Sequence, residues 1–551
     1  MICKTLASRW DALLALEEGE ALCSRGWDLS LLLFFPNLYR VGMANMGFQS
    51  IYRLANEVPG VACDRCFLPG PTIQPLLDGG EELVSMELKH TPREFHVLAF
   101  SVSFELDLMN VIRLLLWSRV PPLARERDDR HPLVILGGIV PSANPEPFAP
   151  IADVIVVGEG EAPFPRVLEI LKEEGTARTP RLLRLLAQIP GVYVPSLYTP
   201  RYDSFGRYVS MEVEGEAPLP VAWSYWDLFP QRGNTVPLVT TESSFPGAFL
   251  VEVSRGCPYL CRFCLSSYVY RPLRVVERGR LMEYLATSHE RLGFVGTSLS
   301  HHPHLVEAVE KAVALGKSVT FSSLRIDSPL PLLERVARES RRVTFGIEAA
   351  TERLRRIVGK AFPQDFILDR LLYCVEEGAE TLKLYFMVGL PGEGDGDLEA
   401  LVAFPKKILH GCRERGLSPP RVSLSLAPFV PKPHTPFQWE PMEVRERLRE
   451  KMRKVEAGLR RVKGVTVTWE GPKWSILQGL ISRGDRKVGE ALVLAWTEFG
   501  GSWSRALKHC NLSFDYYLHR ERGRGEPFPW EVVDVGWERE ALWSRACSSR
   551  T

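Results

Sequence analysis

Three cysteines stand close together in the segment VEVSRGCPYLCRFCLSSYVYRP. Cys257, Cys261 and Cys264 have C-x3-C-x2-C spacing and directly follow an apolar run that is typical of a strand. Three thiolates on one tight loop can bind three irons of a four-iron cluster and leave the fourth iron without a protein ligand. The spacing therefore predicts a metal centre with one position open for a second molecule.

Two other interpretations of the triplet are open. A closed zinc site takes four ligands, but no further Cys or His adjoins this loop. Buried thiols that bind no metal are the second alternative. The position after a strand and the strand–helix repeats that follow favour the cluster. Cys63 and Cys66 form a separate C-x2-C with no second pair nearby, so we expect partly buried thiols there.

Length and composition set the class of protein. The chain has 551 residues, of which 45% are hydrophobic and 25% charged, which predicts a soluble enzyme with three or four folding units of about 150 residues each. The formal net charge of +1 gives no global attraction for nucleic acid or an acidic membrane. Eleven cysteines without a secretory leader, and apolar runs too short to span a bilayer, indicate a cytoplasmic protein.

Apolar runs and helix-period segments alternate along two stretches of the chain, which predicts an α/β fold. Residues 1–190 are expected to form a doubly wound, Rossmann-like domain with strands near 29–35, 97–100, 133–136 and 154–157. Residues 191–245 are expected to be a linker or cover. Residues 246–440 are expected to form a partial (β/α)6 TIM barrel, and residues 441–551 an α+β C-terminal module. The six barrel strands are expected near 249–253, 292–296, 319–322, 343–347, 381–388 and 422–426.

The cysteine loop resembles that of the radical S-adenosylmethionine (SAM) superfamily, in which an aromatic residue, here Phe263, precedes the third cysteine. The resemblance implies a [4Fe-4S] cluster whose open iron binds the amino and carboxylate groups of SAM. It also implies one-electron reduction of SAM to a 5′-deoxyadenosyl radical that abstracts hydrogen. The implied partner is an electron donor such as flavodoxin or ferredoxin.

By the same resemblance, residues at the ends of the barrel strands are expected to contact SAM. They are Gly296 and Thr297 after the second strand, Ser323 and Arg325 on the third, Glu348 at the end of the fourth and Gly389 after the fifth. The segment FVGTSLSHH stands where the family usually has a glycine-glycine-acid sequence. An ion pair between Arg325 and Glu348 inside the barrel is the alternative for these two residues.

Residues 29–175 resemble the cobalamin-binding domain that precedes many radical SAM barrels. The resemblance rests on FPNLYRVGMANMGFQSIY, AFSVSFELDLMNV and LGGIVPSANPEPFAPIADVIVVGEGE. It implies cofactor contacts at Met43, Asn45, Ser103, Gly137, Gly138, Gly158 and Gly160. The Asp-x-His-x-x-Gly pattern of the family is missing, so we expect cobalamin bound without a histidine ligand to cobalt. A degenerate domain that binds no cobalamin is the alternative.

The leading functional hypothesis is a cobalamin-dependent methyltransferase acting on an unactivated carbon or weakly nucleophilic centre, because such centres offer no lone pair for polar attack. The runner-up is radical oxidation, cyclisation or rearrangement without methyl transfer. RNA modification is a third class, since residues 442–463 carry nine Lys or Arg against four Glu. A solvated helix explains that charge equally. His434 is either a site residue or a hydrogen-bonded loop histidine.

Overall fold

A computed structural model describes residues 2–19, 22–23, 26–322 and 324–547. A six-stranded sheet forms the N-terminal part. After the short β1 (Glu17–Glu18), its strands are β2 (Leu29–Phe35), β3 (Val61–Phe67), β4 (Val97–Ser101), β5 (Leu133–Gly137), β6 (Val154–Val156) and β7 (Val192–Tyr193). The strand order is β3-β2-β4-β5-β6-β7, and all neighbours are parallel except β6 and β7. Every residue of β2 and β3 is buried, as in a sheet covered on both faces.

Helices pack on this sheet through apolar faces. They are α1 (Lys4–Leu14), α2 (Tyr39–Gly42), α3 (Met46–Glu57), α4 (Gln74–Asp78), α5 (Asp107–Trp117), α6 (Ile139–Ala143), α7 (Pro163–Glu174) and α8 (Pro180–Ala187). In α3 the side chain of Asn45 accepts a hydrogen bond from the amide of Phe48, which satisfies a free amide of the first turn. Phe48, Tyr52 and Ala55 form its buried face.

The edge strand β3 was not predicted, although the other four parallel strands lie where the apolar runs indicated. Its sequence VACDRCF contains two charged residues, Asp64 and Arg65, which interrupt the apolar run that predicts a buried strand. Both side chains are buried, and Arg65 pairs with Glu17 at 2.8 Å and Glu87 at 2.6 Å. A buried charge of this kind is tolerated only with such partners, and these come from distant segments.

The stretch expected to be a linker or cover joins three parts of the molecule. It contains β8 (Tyr198–Tyr202), β9 (Tyr208–Val213), β10 (Val221–Ala222), α9 (Phe229–Arg232), β11 (Asn234–Thr235) and β12 (Val239–Thr240). Strands β8 and β9 form an antiparallel pair. Strand β12 pairs with β1 of the N-terminal part, and β11 pairs with β13, the first strand of the second unit. Strand β10 pairs with β21 (Val533–Asp534) near the C-terminus, so this segment contacts all three parts.

The second α/β unit contains all six predicted parallel strands in two sheets. Its elements are β13 (Phe249–Arg255), α10 (Ser266–Val269), β14 (Arg274–Val275), α11 (Arg278–Tyr284), β15 (Arg291–Gly296), α12 (Leu305–Ala314), β16 (Ser318–Phe321), α13 (Leu330–Ser340), β17 (Arg342–Glu348), α14 (Glu352–Ile357), α15 (Gln364–Glu376), β18 (Thr381–Val388), α16 (Asp395–Glu414) and β19 (Arg421–Pro428). The first sheet has the order β11-β13-β15-β16, with β14 also on β13. Among the described residues, no pairing joins β16 to β17, where the second sheet starts.

The C-terminal part contains α17 (Arg445–Leu459), β20 (Val465–Trp469), α18 (Pro472–Arg483), α19 (Arg486–Thr497), α20 (Trp503–His509), β21 (Val533–Asp534) and α21 (Arg539–Cys547). Strand β20 was assigned to a separate module, but it pairs in parallel with β19 and completes the order β17-β18-β19-β20. The second barrel sheet thus extends past residue 440. No helix in the described part of the chain is long and apolar enough to cross a membrane.

Candidate functional site

The cysteine loop follows β13 at its carboxyl end and packs tightly against the segment after α14. The amide of Arg262 donates to the carbonyl of Val358 at 2.9 Å. A Cβ on Gly359 would come within 3.1 Å of the Leu260 carbonyl, so this position leaves room only for a small residue. Cys257 and Cys261 are buried and Cys264 is half-buried, and all three are free thiols. The loop therefore presents three sulfur donors from a rigid backbone.

The surroundings of the thiols fit metal-bound thiolates. Burial raises the pKa of Cys261 to about 11, whereas the nearby Lys360 and Arg325 charges oppose that rise. Burial also raises the pKa of Cys264. A bound metal would supply the positive charge that such buried thiolates need. Among the described residues, no three His, Cys, Asp or Glu side chains are grouped as a single-ion site. In a four-iron cluster each thiolate would bind a different iron, so the three sulfurs need not converge on one ion.

Phe263 lies in an apolar cluster beside the loop. Phe263 and Met387, near the end of β18, both pack against this buried cluster, which includes Phe429 and Phe437 after β19. The residue next to Cys264 thus joins an apolar cluster that also contains residues at the carboxyl ends of β18 and β19. Such a cluster excludes water from a reactive centre.

The alternative interpretation, an ion pair between Arg325 and Glu348, does not match the structure, because each residue pairs with another group. The Arg325 Nε donates to Asp327 at 2.9 Å, and the Arg325 guanidinium lies 3.4 Å from the ring centroid of Tyr259. The Lys360 Nζ lies 3.1 Å from a Glu348 oxygen. Arg325 and Glu348 both lie near the cysteines, since their charges act on the pKa values of Cys261 and Cys264 respectively.

Glu348 has an unusual backbone. Its φ of 68° lies in the left-handed region, and the pairing of β17 with β18 shifts register between Gly346 and Glu348. The Lys360 ammonium also donates to the Gly346 carbonyl at 2.5 Å and so holds this bulge. Residues kept in sparsely populated conformations by their surroundings cluster at functional sites. A role for Glu348 toward SAM remains a prediction.

The other residues proposed for SAM have different positions. Gly296 and Thr297 end β15 and line a cavity described below. A Cβ on Gly389 would come within 2.8 Å of Leu448, so this glycine allows close packing of α17. Ser323 lies outside the described residues. Tyr259, inside the cysteine loop, was not predicted as a site residue. Its ring lies against the Arg325 guanidinium, and its hydroxyl donates to Asp327 at 2.5 Å.

A cavity of about 340 Å³ lies between the N-terminal sheet and the barrel. One wall is the carboxyl edge of β4, β5 and β6, including Ser101 and four glycines that were predicted to contact cobalamin. The opposite wall comes from β13 and β15, with Glu252, Arg255, Val295, Gly296 and Thr297. Gly137, Gly138, Gly158 and Gly160 are the four glycines of the first wall. Two carboxyl edges of parallel strands thus face one another, as ligand sites of α/β proteins require.

The remaining predicted cobalamin contacts lie outside the lining of this cavity. Met43 is buried, and Arg65 Nη1 lies 3.4 Å from its sulfur. Asn45 caps α3 and donates to Ser103 Oγ at 3.2 Å, next to the lining residue Met46. Met43 is thus a buried residue beside Arg65, whereas Asn45 and Ser103 connect two loops next to the cavity.

Polar side chains cover one face of the second barrel sheet. Strand register places Gly346, Tyr385, Ser425 and Thr468 in one row and Thr344, Lys383, Ser423 and Thr466 in the next. Tyr385 is 39% exposed, and the Lys383 ammonium lies 4.7 Å from its ring centroid. The alternation in TLKLYFMV and RVSLSLAP was a visible signal for such a face, since neighbouring strand residues point to opposite sides.

Two other sequence expectations concern buried groups. The His434 Nε2 lies 2.9 Å from the Ala143 carbonyl, and burial lowers its pKa to about 4. This geometry matches the hydrogen-bonded loop histidine. Cys63 and Cys66 are fully buried free thiols, rather than partly buried ones, and burial raises the pKa of both. None of His434, Cys63 and Cys66 lines the cavity.

Asp107, at the first turn of α5, makes stability depend on pH. Its carboxylate accepts from Asn37 Nδ2 at 3.0 Å, and burial raises its pKa to about 7. The folded chain therefore keeps a proton that the unfolded chain releases near about pH 4, so stability falls as the pH rises through about 7. We expect the wild type to lose on the order of 2 kcal/mol between pH 5 and 8 and Asp107→Asn to lose less. Denaturant unfolding at both pH values measures this, and equal losses would contradict it.

The fold and loop define an α/β protein with three free cysteines at the carboxyl end of a parallel strand. Residues 251–404 match the radical SAM superfamily, and residues 47–195 match the family described as radical SAM proteins, N-terminal. Together the two matches span more than half of the chain. The chain belongs to the radical SAM superfamily, whose members use a [4Fe-4S] cluster and SAM.

Two curated relatives are archaeal. An uncharacterized protein of Methanocaldococcus jannaschii is 26% identical over 440 residues, which cover 79% of this chain and 87% of that protein. An uncharacterized methyltransferase of Pyrococcus horikoshii is 24% identical over 291 residues, which cover 50% of this chain and 58% of that protein. The chain thus spans little more than half the length of the second relative.

Among solved structures, the chain is similar to the cobalamin-dependent S-adenosylmethionine radical enzyme OxsB with aqua-cobalamin and S-adenosylmethionine bound. The two share 15% identity with a TM-score of 0.43, over 68% of this chain and 51% of that one. The chain spans about half the length of OxsB.

Proposed function

We propose that the chain is a cobalamin-dependent radical SAM enzyme that methylates an unactivated carbon or weakly nucleophilic centre. The observation that carries the proposal is the cavity between the carboxyl edges of the two α/β units. A corrinoid lying on the edge of β4, β5 and β6 would face Gly296 and Thr297 of the barrel. Methyl transfer between a corrinoid and a substrate radical needs this arrangement.

The residues present fit both cofactors. Three free thiols on one loop suit an iron–sulfur cluster. The cavity lining in the described part of the chain contains no histidine, which agrees with cobalamin held without a histidine ligand to cobalt. When bound, the cluster supplies an electron to SAM and the corrinoid supplies a transferable methyl group. The chain's own part is to hold the thiolates beside Lys360 and Arg325 and to exclude water through Phe263 and Met387.

The name of the Pyrococcus horikoshii relative supports methyl transfer in particular. A flavodoxin or ferredoxin is the proposed electron donor. A nucleic-acid substrate is disfavoured by the ion pairs of α17, in which Lys451 binds Glu393 at 2.9 Å and Lys454 binds Asp395 at 2.8 Å. Two cations of that helix are therefore already paired within the protein.

The test is anaerobic reconstitution with iron, sulfide and hydroxocobalamin, followed by an ultraviolet–visible spectrum and metal analysis. We expect about four irons and one corrinoid per chain, with S-adenosylhomocysteine and 5′-deoxyadenosine formed during turnover with dithionite. A protein with a cluster that forms 5′-deoxyadenosine but no S-adenosylhomocysteine would contradict methyl transfer and favour radical oxidation, cyclisation or rearrangement. A protein without corrinoid would contradict the cobalamin assignment.

A further inference from the structure

Arg255 occupies a special place between the two proposed cofactor sites. It is the last residue of β13, and only Gly256 separates it from Cys257. Gly256 has φ of 86°, and a Cβ there would lie 2.3 Å from the Tyr270 carbonyl and 2.6 Å from the Pro272 carbonyl. The backbone between Arg255 and the first cysteine is therefore confined. A shift of Arg255 would move Cys257 with it.

Three carboxylates hold the Arg255 guanidinium, and two of them come from the N-terminal unit. Its Nε donates to Glu252 of its own strand at 2.8 Å. Its Nη1 donates to Glu159 at 3.2 Å and its Nη2 to Glu161 at 2.5 Å, both in the loop after β6. The nitrogens of the planar Arg255 guanidinium thus donate to three carboxylates in different directions. A lysine ammonium cannot reproduce this geometry.

A second arginine strengthens the same connection. Arg274, on the strand β14 that pairs with β13, donates to Glu159 at 3.0 Å and to the Trp226 carbonyl at 3.2 Å. The Trp226 amide in turn donates to Glu159 at 2.9 Å. All the charged side chains of this network are largely buried. Buried charges with several partners have strongly preferred positions, because each lost partner leaves an uncompensated charge.

The network also forms part of the cavity wall. Glu159, Glu161, Glu252 and Arg255 all line the cavity proposed for the corrinoid. Burial opposes the charge on Glu161, but the Arg255 charge outweighs it and lowers the pKa of this carboxyl. Glu161 is therefore ionised in the wall and binds the residue that leads into the cysteine loop.

We propose that Arg255 is a positioning residue through which the carboxylates Glu159 and Glu161 of the N-terminal unit set the position of the cluster-binding loop. The inference rests on the proposed function of the cysteines as cluster ligands, and it does not require cobalamin to be present. It follows that the electronic environment of the cluster depends on a side chain of the other unit. Coupling of this kind is reciprocal, so a ligand that moves Glu161 would act on the cluster as well.

The test uses the reconstituted full chain without corrinoid and compares Glu161→Gln and Arg255→Lys with a matched control. Glu146→Gln breaks another buried ion pair of the N-terminal unit, with Arg486 at 2.9 Å, that does not involve the barrel. Iron content, the electron paramagnetic resonance spectrum of the dithionite-reduced cluster and the rate of 5′-deoxyadenosine formation are measured for each protein.

We expect Glu161→Gln and Arg255→Lys to bind iron but to show altered g-values and roughly 100-fold slower 5′-deoxyadenosine formation, as for a misplaced reacting group. Glu146→Gln is expected to keep the wild-type spectrum and rate. Wild-type g-values in Glu161→Gln, or the same change in Glu146→Gln, would overturn the proposal. A wild-type chain that takes up no iron would overturn the cluster assignment and the proposal with it. If the wild-type chain, reconstituted separately with hydroxocobalamin, binds iron but shows no methyl transfer, the proposed function alone is overturned, and the altered g-values of the variants still support the positioning role.

Discussion

Cys261→Ala is expected to abolish 5′-deoxyadenosine formation and to remove most of the bound iron. The thiol lies between the other two cysteines in sequence and is buried beside Lys360 and Arg325. Loss of a direct ligand should exceed the roughly 10–100-fold effects typical of outer-shell partners, so we expect a fall of more than about 100-fold. Iron analysis and chromatographic detection of 5′-deoxyadenosine after anaerobic reconstitution measure it.

Cys66→Ala is the matched control for this variant. Cys66 is also a buried free thiol, but it lies on β3 in the N-terminal sheet. The control is expected to keep its iron and its activity, since only a buried thiol and its packing are lost. Full iron occupancy and turnover in Cys261→Ala would refute the assignment of the cluster to this loop, whereas iron loss in Cys66→Ala would point to a second metal site.

Gly138→Ala is expected to have the largest effect on stability among the predicted cofactor contacts. Gly138 has φ of 104°, and a Cβ there would lie 2.3 Å from the Val102 carbonyl. Backbone strain and overpacking together are expected to cost roughly 2–5 kcal/mol and to distort the wall of the cavity. We expect a lower unfolding midpoint in denaturant and loss of hydroxocobalamin binding.

The adjacent variant Gly137→Ala is the control. It distinguishes backbone strain at Gly138 from the general effect of replacing a glycine. Gly137 lines the same cavity, but the nearest atom to its added Cβ would be a carbon of Val156 at 3.7 Å, an ordinary contact. Its unfolding free energy should stay within about 1 kcal/mol of the wild type. If the two variants are equally stable and bind corrinoid equally, the backbone argument at Gly138 fails.

Sequence periodicity located ten strands of the two α/β units, because buried parallel strands are continuous apolar runs. It failed at β3, where Asp64 and Arg65 interrupt the run and are neutralised by distant residues. Sequence periodicity also did not place β20 in a sheet. Its pattern predicts a strand but does not show which strand it pairs with. Pairing with β19 depends on the path of the chain in three dimensions, which local periodicity does not contain.

The part of the candidate site that lies in a single segment, the cysteine loop, could be predicted from the sequence. The cysteine loop has its own spacing, whereas the partners of Arg325 and Glu348 do not follow from the sequence. Arg325 was expected on the third strand, but β16 ends at Phe321 and Arg325 lies in the loop after it. Glu348 bonds Lys360, which lies in the loop after α14. The Arg255 network combines loop residues of one unit with strand residues of another, so no single motif contains it. Contacts between units were therefore the part that sequence reasoning missed.

The seam between β16 and β17 has a consequence for how the two sheets can move. Among the described residues, no ladder of backbone hydrogen bonds crosses this seam. A closed barrel must break such a ladder to widen, whereas these two sheets can separate at the cost of side-chain contacts alone. Relative movement of the two sheets at this seam would therefore leave the backbone pairing within each sheet intact.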